Sequence, residues 1–354
     1  MSSPAPAQGS TQASSQANAL QPAEQLMQFA TGYMVSSALY GVTSLGIPDL
    51  LKSGSKSVAE LAVLSGSHEG ALYRVLRALS SIGVFAENPS RTFSLTPVSE
   101  PLCKDAPDSM RDMTLWLADP FHLQVYGELS HSLRTGETVP EKLYGLPCFD
   151  YLAENQEVGD RFNNAMTGFS ATVIAAALEA YDFSCLSGKT LVDVAGGHGK
   201  VLTEILKKNP GVRGILFDLE HVVKGATPRI QSQGLSSRCS VAHGDFFQAV
   251  PSGDAYIMKH IIHDWDDARA LTILKNIHAA ASPNARLFLL EAVLSPGSEP
   301  HFAKFIDIEM LLLPGGCERT EKEYRDLLAQ AGFRLTKVVK TKSPLDVIEA
   351  IRSN

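Results

Sequence analysis

Residues 190–200, with the sequence TLVDVAGGHGK, constrain the fold of this chain more than any other segment. A short apolar run leads into a turn of small residues, and a helical pattern of apolar residues then continues to about Pro210. Glycines let a ligand approach the backbone closely, and the start of a helix offers unpaired N–H groups. A buried strand, a glycine turn and a helix in this order predict a binding site for a nucleotide-like cofactor.

A second apolar run, residues 214–219, reads as another buried strand and includes Asp218, which lies 25 positions after Asp193. A carboxylate at this place can accept both hydroxyl groups of a ribose. These two strands leave two cofactor classes open, a dinucleotide or an adenosyl compound.

Composition excludes several classes of function. With 354 residues the chain is long enough for two domains, and its net charge of −7 gives no basic surface for nucleic acid or an anionic membrane. No apolar run approaches the roughly 20 residues of a membrane span. The five cysteines are scattered and form no CxxC pair, which is typical of free thiols in the cytoplasm.

The amino-terminal part predicts a disordered tail, residues 1–20, followed by a winged-helix domain, residues 21–105. The tail is rich in Ser, Ala, Gln and Pro and has neither the basic start nor the apolar core of a signal peptide. In the domain, a helix, a turn, a second helix from about residue 68 to 81 and two short extended segments follow one another. The helical pattern before them carries one apolar stripe, made of Val35, Leu39, Val42 and Leu45.

Two functions are compatible with a winged helix, DNA reading and dimerisation. The presumed recognition helix offers only Arg74 and Arg77, with Glu69 beside them, whereas DNA binding normally needs several side chains that neutralise phosphates. We therefore expect dimerisation or packing, with no nucleic acid and no membrane as partners.

Residues 106–186 predict a mainly helical connection. Phe162, Met166 and Phe169 share one helix face within it. Together with Met310 they are candidates for the walls of a pocket that accepts an apolar, aromatic compound. Packing between domains explains the same helix face equally well, and the sequence leaves both interpretations open.

Residues 187–354 predict an α/β domain with a mostly parallel sheet. Further strands are expected at residues 240–246, 254–262 and 285–294, with helices at 268–281 and 320–331. The extended runs 333–342 and 345–352 are separated only by Ser343-Pro344, so these last two strands must be antiparallel to each other. A simple dinucleotide fold does not need this hairpin, which favours the adenosyl cofactor.

Ligands of an open α/β sheet lie beyond the carboxyl ends of the strands, so the polar residues there should face one cleft. The candidates are Asp193, Asp218, Asp245, residues 259–267, Glu291 and Glu318. Asp245 is suited to the amino group of an adenine, and the adjacent Phe246 to covering its ring.

The segment KHIIHDWDD, residues 259–267, allows three hypotheses. It is a metal site, or it carries a histidine as general base, or its histidines are structural. A metal site is disfavoured because His260 and His263 should lie on opposite faces of a strand. The carboxylates Glu291 and Glu318 favour the general base.

These motifs resemble the S-adenosylmethionine-dependent O-methyltransferases of the caffeic acid and hydroxyindole (acetylserotonin) type. The resemblance covers about residues 22–352 and includes the winged-helix segment ALYRVLRALSSIGVF, which is similar to the family's dimerisation domain. It implies a class I methyltransferase fold, with a Rossmann-like sheet that is parallel except for the last strand. It also implies cofactor contacts from Asp193, Ala195, Gly196, Gly197, Gly199, Asp218, Gly244, Asp245, Phe246 and Lys259. Ala195 stands where the family usually has glycine, and its methyl group is expected to crowd the cofactor's amino-acid end.

The resemblance implies metal-free methyl transfer to a hydroxyl group by an enzyme of specialised metabolism. It also implies a homodimer formed through the amino-terminal domain. His263 would remove the proton, Glu291 and Glu318 would support its imidazole, and Asp264 would bind substrate or fix the strand end. Three rival hypotheses remain: a relative that performs N-methylation or hydroxylation, a DNA-binding regulator with the cofactor as effector, and a dinucleotide dehydrogenase.

Overall fold

The computed structural model describes residues 21–353, and the predicted disordered tail lies outside the described residues. The amino-terminal unit is mainly helical. Its elements are α1 (Pro22–Ala30), α2 (Gly32–Ser44), α3 (Ile47–Leu51), β1 (Lys56–Ser57), α4 (Val58–Ser65), α5 (Glu69–Ser81), β2 (Phe85–Asn88) and β3 (Thr92–Leu95). β3 pairs antiparallel with both β1 and β2, which makes the predicted wing.

The predicted apolar stripe of this unit is divided between its interior and its surface. The single helical pattern becomes three helices. Thr31 separates α1 from α2, and Gly46, with a left-handed φ of 69°, separates α2 from α3. Val42 is buried, but Val35 and Leu45 remain 39% and 41% exposed. The neighbouring face of α1 and α2 exposes larger apolar side chains, because Phe29 and Met34 are more than half exposed.

Six α-helices connect the amino-terminal unit to the carboxyl-terminal domain in the described part of the chain. They are α6 (Arg111–Leu117), α7 (Pro120–Gly127), α8 (Leu129–Thr135), α9 (Val139–Tyr144), α10 (Cys148–Glu154) and α11 (Gln156–Ala180). α11 spans 25 residues and contacts both α6 and the helix Lys200–Lys208 of the carboxyl-terminal domain. Its first half packs into a cluster of helical side chains around Trp116, and its second half packs against the sheet domain.

The carboxyl-terminal domain alternates strands with helices, as predicted. Its elements are β4 (Thr190–Val194), α12 (Lys200–Lys208), β5 (Arg213–Asp218), α13 (Glu220–Val223), α14 (Ala226–Ser232), β6 (Cys239–His243), β7 (Gly253–Lys259), α15 (Asp267–Ala280), β8 (Ala281–Glu291), β9 (Val293–Leu294), α16 (Ala303–Leu312), β10 (Arg319–Thr320), α17 (Glu321–Gln330), β11 (Phe333–Val339) and β12 (Asp346–Arg352). The main sheet has the order β11-β12-β8-β7-β4-β5-β6.

The hairpin prediction is confirmed. β11 pairs antiparallel with β12, and β12 pairs antiparallel with β8, whereas the pairs from β8 to β6 are parallel. Within the described residues, β12 alone therefore runs against the main sheet.

Both faces of the sheet are covered. Successive residues of a strand point to opposite faces, so Leu191 packs with α11 and α12, while Val192 packs with α15 and α17. This double covering explains why the central strands read as continuous apolar runs in the sequence.

Several strand ends differ from the prediction, three of them near the site. β6 ends at His243 rather than 246, and β7 ends at Lys259 rather than 262. His260 leaves the strand because its backbone is left-handed, with φ 52°. The predicted strand 285–294 begins earlier, at Ala281, and divides into β8 and β9. Among the described residues, no helix is both long and apolar enough to span a membrane.

Candidate active site

The turn after β4 is shaped by residues with left-handed backbones. Ala195, Gly197 and Gly199 have φ of 55°, 57° and 78°. Gly196 is required for a different reason, because a Cβ atom there would lie 2.5 Å from Cγ of Asp193 and from Cδ1 of Leu216. A Cβ atom on Gly197 would meet nothing within 4 Å, so this side of the turn is open. The turn thus forms a cradle.

Asp218, at the end of β5, is linked directly to this cradle. Its Oδ2 accepts the N–H of Gly197 at 2.8 Å, and its Oδ1 accepts the N–H of Leu219 at 2.7 Å. A carboxylate has about four acceptor positions, so two remain for the hydroxyl groups of a ribose. Burial raises the pKa of Asp218.

Asp193 supports the turn from inside. It is 2% exposed, and its Oδ2 accepts the N–H of Leu202 at 3.3 Å, which ties the end of β4 to the start of α12. Burial raises the pKa of Asp193 to about 7. Burial also lowers the pKa of Lys259, although Glu291 and Asp193 act in the opposite direction. Lys259 therefore interacts electrostatically with Asp193 beside the turn and with Glu291 at the end of β8.

The loop after β6 carries Asp245 and Phe246, the residues predicted to contact an adenine. Gly244 donates its N–H to the carbonyl of Asp218 at 3.1 Å, so this loop is held beside β5. Oδ1 of Asp245 accepts the N–H of Phe247 at 2.8 Å. The ring centroid of Phe246 lies 6.1 Å from that of Trp265. Trp265 is thus an aromatic neighbour of the predicted adenine site that the sequence analysis did not single out.

The second half of the site is built around His263, which is 5% exposed. Nδ1 of His263 lies 2.8 Å from Oε1 of Glu318, and Nε2 lies 3.4 Å from Oδ1 of Asp264. The small parallel pair of β9 and β10 explains the approach of Glu318. It joins the residues after Glu291 to the residues after Glu318.

The loop that carries His263 is held by backbone contacts. Cys317 donates its N–H to the carbonyl of His263 at 2.9 Å, and a Cβ atom on Gly316 would lie 2.0 Å from the same oxygen. The buried guanidinium of Arg319 donates to the carbonyls of Ile262 and Trp265, at 3.1 and 2.9 Å. The imidazole therefore has a rigid support.

Glu291 is fully buried and holds the same loop from the other side. Its Oε1 accepts the N–H groups of Ile261 and Ile262, at 3.0 and 2.9 Å, while Oε2 has no hydrogen-bond partner. Burial raises the pKa of Glu291 to about 7. One oxygen of this carboxylate is therefore structural and the other is available.

Charges around His263 set its proton affinity. Burial alone lowers its pKa, but Asp264, Glu291 and Glu318 outweigh burial and raise the pKa to about 9. Burial raises the pKa of Asp264 to about 6. The arrangement stabilises an imidazolium, which is the form a general base reaches after it takes a proton.

The expected placement of His260 and His263 on opposite faces of a strand is wrong. Because β7 ends at Lys259, the chain turns back, and the two rings lie 4.3 Å apart at 33°. The ring of His260 also lies 5.3 Å from that of Phe169. Ligand atoms of His260, His263 and Glu291 all lie within 4.8 Å of one another. The two histidines therefore do not lie apart, and their expected separation no longer argues against a metal site. The hypotheses of a general base and of structural histidines do not depend on this separation.

The predicted pocket walls divide into two groups. Phe169 lies against His260, whereas Phe162 and Met166 pack against the helical cluster around Trp116, as does Ile308 of α16. Met310 lies on the same helix α16 and is 8% exposed. The sequence analysis did not predict α16. Its Asp307 accepts the N–H of Glu318 at 2.7 Å and so helps to place that carboxylate.

Comparison with known proteins identifies this arrangement. The model of the O-methyltransferase domain family matches residues 126–334, and that of the O-methyltransferase dimerisation domain matches residues 27–105. The chain belongs to the S-adenosylmethionine-dependent O-methyltransferase family. It is a methyltransferase that uses S-adenosylmethionine as its methyl donor. Its fold is that of a class I methyltransferase with an amino-terminal helical dimerisation domain.

Individual relatives of this O-methyltransferase are similar along nearly their whole length. Phenazine O-methyltransferase PhzM from Lysobacter antibioticus is 41% identical over 92% of this chain and 95% of its own. The 8-amino-8-demethylriboflavin N,N-dimethyltransferase from Streptomyces davaonensis is 36% identical over 92% and 88%. The crystal structure of human N-acetylserotonin methyltransferase in complex with SAM is 25% identical, with a TM-score of 0.85 over 96% of this chain and 99% of that one.

Proposed function

We propose that this methyltransferase acts on a hydroxyl group of a small aromatic compound, with His263 as the general base. The observation that carries the proposal is the contact between the buried imidazole of His263 and the buried carboxylate of Glu318. A base needs an orienting partner on one ring nitrogen and a lone pair on the other. If Nδ1 donates to Glu318, Nε2 is the nitrogen that receives the proton.

The raised pKa of His263 matches this role. A phenol has a pKa near 10, so full proton transfer to an ordinary imidazole of pKa 6.5 would cost about 5 kcal/mol. At a pKa of about 9 the same transfer costs only about 1.4 kcal/mol. The compensating cost is that His263 must first lose a proton at neutral pH, which should favour activity under alkaline conditions.

The cofactor site is proposed to combine the turn after β4 with the ends of β5 and β6. Asp218 would hold the ribose, Asp245 and Phe246 the adenine, and Asp193, Lys259 and residues 195–199 the amino-acid end. When bound, S-adenosylmethionine supplies a methyl group activated by a positively charged sulfur. The fit rests on the open side of Gly197 and the two free acceptor positions of Asp218.

The surplus of carboxylates supports a cationic ligand in this cleft. Asp193, Asp264, Glu291 and Glu318 are mostly buried, and Lys259 is the cation that interacts with most of them. Buried carboxylates without enough cations favour positive charge nearby. Both an imidazolium at His263 and a sulfonium ligand meet this requirement.

We propose that Phe162, Met166, Phe169 and Met310 contribute to the acceptor pocket, with Asp264 at its polar end. These positions follow α11 and α16, which approach the loop of His263 from the helical side. An aromatic acceptor would be positioned by these apolar walls while water is excluded from the reacting oxygen.

N-methylation is the second candidate reaction, because one relative is named as an N,N-dimethyltransferase. The distinguishing experiment uses pairs of aromatic acceptors that differ only in carrying a hydroxyl or an amino group, with a methyl-labelled donor. Transfer to the phenol, with little or none to the matched amine, supports the proposal. Preferred transfer to the amine would overturn it.

We further propose a homodimer formed through residues 21–105. The face of α1 and α2 exposes Leu26, Met27, Phe29, Tyr33 and Met34, each between 54% and 72%. A patch of this kind requires an apolar partner, and a second copy is the simplest one in a chain that carries a dimerisation domain. Phe29→Glu combined with Met34→Glu should yield monomers in light scattering; an unchanged dimer would refute this interface.

The cellular location that we propose is the cytoplasm. All five cysteines are free thiols in the structure, which suits a reducing compartment.

A further inference from the structure

We propose that His260, His263 and Glu291 form a binding site for a divalent transition-metal ion, for which zinc is the probe, and that the bound ion blocks methyl transfer. The site itself does not depend on the proposed function. Only its inhibitory consequence rests on the role of His263 as general base.

Geometry is the first support. One ligand atom from each of the three residues lies within 4.8 Å of the other two. Tetrahedral zinc with ligands at about 2.0–2.2 Å requires ligand atoms about 3.4 Å apart, so the side chains would have to close by up to about 1.4 Å. Small side-chain rotations provide such a movement, and the ring stacking of His260 and His263 already places both imidazoles on one side of the loop.

Unused hydrogen-bonding capacity is the second support. Nε2 of His260 and Oε2 of Glu291 are both buried atoms without a hydrogen-bond partner. Buried polar atoms are normally paired, and each unpaired one is costly. Glu291 is fully buried, so its free oxygen cannot be satisfied by bulk water. One ion would satisfy both atoms at once.

The surrounding contacts are those of a metal site. Metal-binding histidines commonly donate their second ring N–H to a carboxylate, and metal-binding carboxylates are themselves hydrogen-bonded. His263 fulfils the first condition through Glu318, and Glu291 fulfils the second through the N–H groups of Ile261 and Ile262. His260 is partly exposed, which gives an ion a path of entry.

The ligand set selects the class of ion. Two imidazole nitrogens and one carboxylate suit zinc, nickel, copper or iron, whereas magnesium and calcium prefer oxygen ligands alone. Coordination by Nε2 of His263 would occupy the lone pair that removes the acceptor proton. A bound ion is therefore expected to inhibit the enzyme rather than assist it.

The test uses the full chain after treatment with a chelator. Zinc binding is measured by calorimetry, and cobalt binding by the visible absorption of the ion in place of zinc. We expect one high-affinity equivalent per chain, a cobalt spectrum typical of low-coordinate nitrogen ligation, and no comparable binding of magnesium. Loss of a single outer-sphere partner costs roughly 10- to 100-fold in metal affinity, so His260→Gln should cost at least as much.

Two variants control for binding elsewhere. His243→Gln removes an exposed histidine on β6, and Cys185→Ser removes an exposed thiol, and both should retain wild-type zinc affinity. Equal zinc affinity of the wild type and His260→Gln would overturn the site. If His260→Gln does not fold, the wild-type cobalt spectrum still decides, because an octahedral spectrum without imidazole ligands would contradict the proposal.

Methyl transfer is measured for each variant with and without zinc, so that each serves as its own reference. The wild type should lose most activity at one equivalent and regain it with chelator, whereas His260→Gln should need at least about tenfold more zinc. Zinc bound at the site without inhibition would overturn the blocking effect and count against His263 as base, but would leave the metal site intact.

Discussion

The loops after β4 and β7 start alike and then differ in how they are built. Each leaves its strand through a residue other than glycine with a left-handed backbone, Ala195 with φ 55° and His260 with φ 52°. The first loop then relies on glycines, backbone N–H groups and the nearby Asp218. The second loop is held by buried side chains that are distant in the sequence. His263 contacts Glu318, 55 positions away, and the N–H of Ile261 donates to Glu291, 30 positions away.

This difference separates binding from chemistry. Backbone N–H groups donate hydrogen bonds but do not ionise near neutral pH, so the N–H groups of the first loop are suited to binding. A histidine among buried carboxylates has a shifted proton affinity, so the second loop can act on a proton. Substitutions in the two loops should therefore affect different measured quantities.

His263→Ala should produce the largest effect and should act on turnover alone. A positioned general base contributes roughly 10²- to 10⁴-fold, so turnover should fall by that factor. Cofactor affinity, measured by calorimetry, should stay nearly unchanged because the turn after β4 is intact. Full activity in a well-folded variant would refute His263 as base, and a lower melting temperature with activity retained would indicate a structural histidine.

Asp218→Ala should show the opposite pattern. Loss of hydrogen bonds to a charged group costs about 1.5–3 kcal/mol, which corresponds to roughly 10- to 150-fold weaker S-adenosylmethionine binding. Turnover at saturating cofactor should change much less. Glu220→Ala is the matched control, since it removes an exposed carboxylate two residues further along. Unchanged calorimetric affinity in Asp218→Ala would refute the assignment of this carboxylate.

Glu318→Gln should alter the pH dependence more than the maximal rate. Since His263 must be neutral to accept a proton, kcat/KM should rise with pH, reach half its maximum near pH 9 and level off above that pH. Removing the charge of Glu318 lowers the pKa of His263, so the rising part should move to lower pH by about one unit or more. Turnover should fall less than in His263→Ala.

Glu321→Gln is the control for this shift, because it neutralises an exposed carboxylate on α17. The same pH profile in Glu318→Gln and the wild type would mean that Glu318 does not set the proton affinity of His263.

The contrast between the loops also explains what the sequence predicted. The turn after β4 and Asp218 were readable because strand, glycines and carboxylate follow one another at short spacing. The reversed β12 was predicted because Ser343-Pro344 is too short for a crossover. Both conclusions need only local chain geometry.

The arrangement of the second loop required tertiary information. The sequence predicted a strand through residue 262. In the structure the left-handed backbone of His260 ends the strand, and the ring of His260 lies 4.3 Å from that of His263. The approach of Glu318 depends on the two-residue pairing of β9 with β10, and its backbone is fixed by Asp307 on α16. Two-residue strands and a helix without caps or periodic charge leave little signal in a single sequence.

Ala195→Gly should have the smallest effect, and its sign tests whether the shared left-handed start of the two loops is strained. A left-handed conformation costs an L-residue about 1–2 kcal/mol, which glycine avoids. Glycine in turn adds about 0.4–1 kcal/mol of unfolded-state entropy. The net change should lie between zero and about 1.5 kcal/mol in favour of the folded state, so the melting temperature should stay constant or rise slightly.

Ala175→Gly, at an exposed position inside α11, should instead cost about 1 kcal/mol and lower the melting temperature. Because glycine also removes the methyl group expected to crowd the cofactor, calorimetric affinity should not weaken. An equal loss of stability in both variants would show that Ala195 is unstrained, and the left-handed start would then be a consequence of the fold rather than a feature that favours glycine.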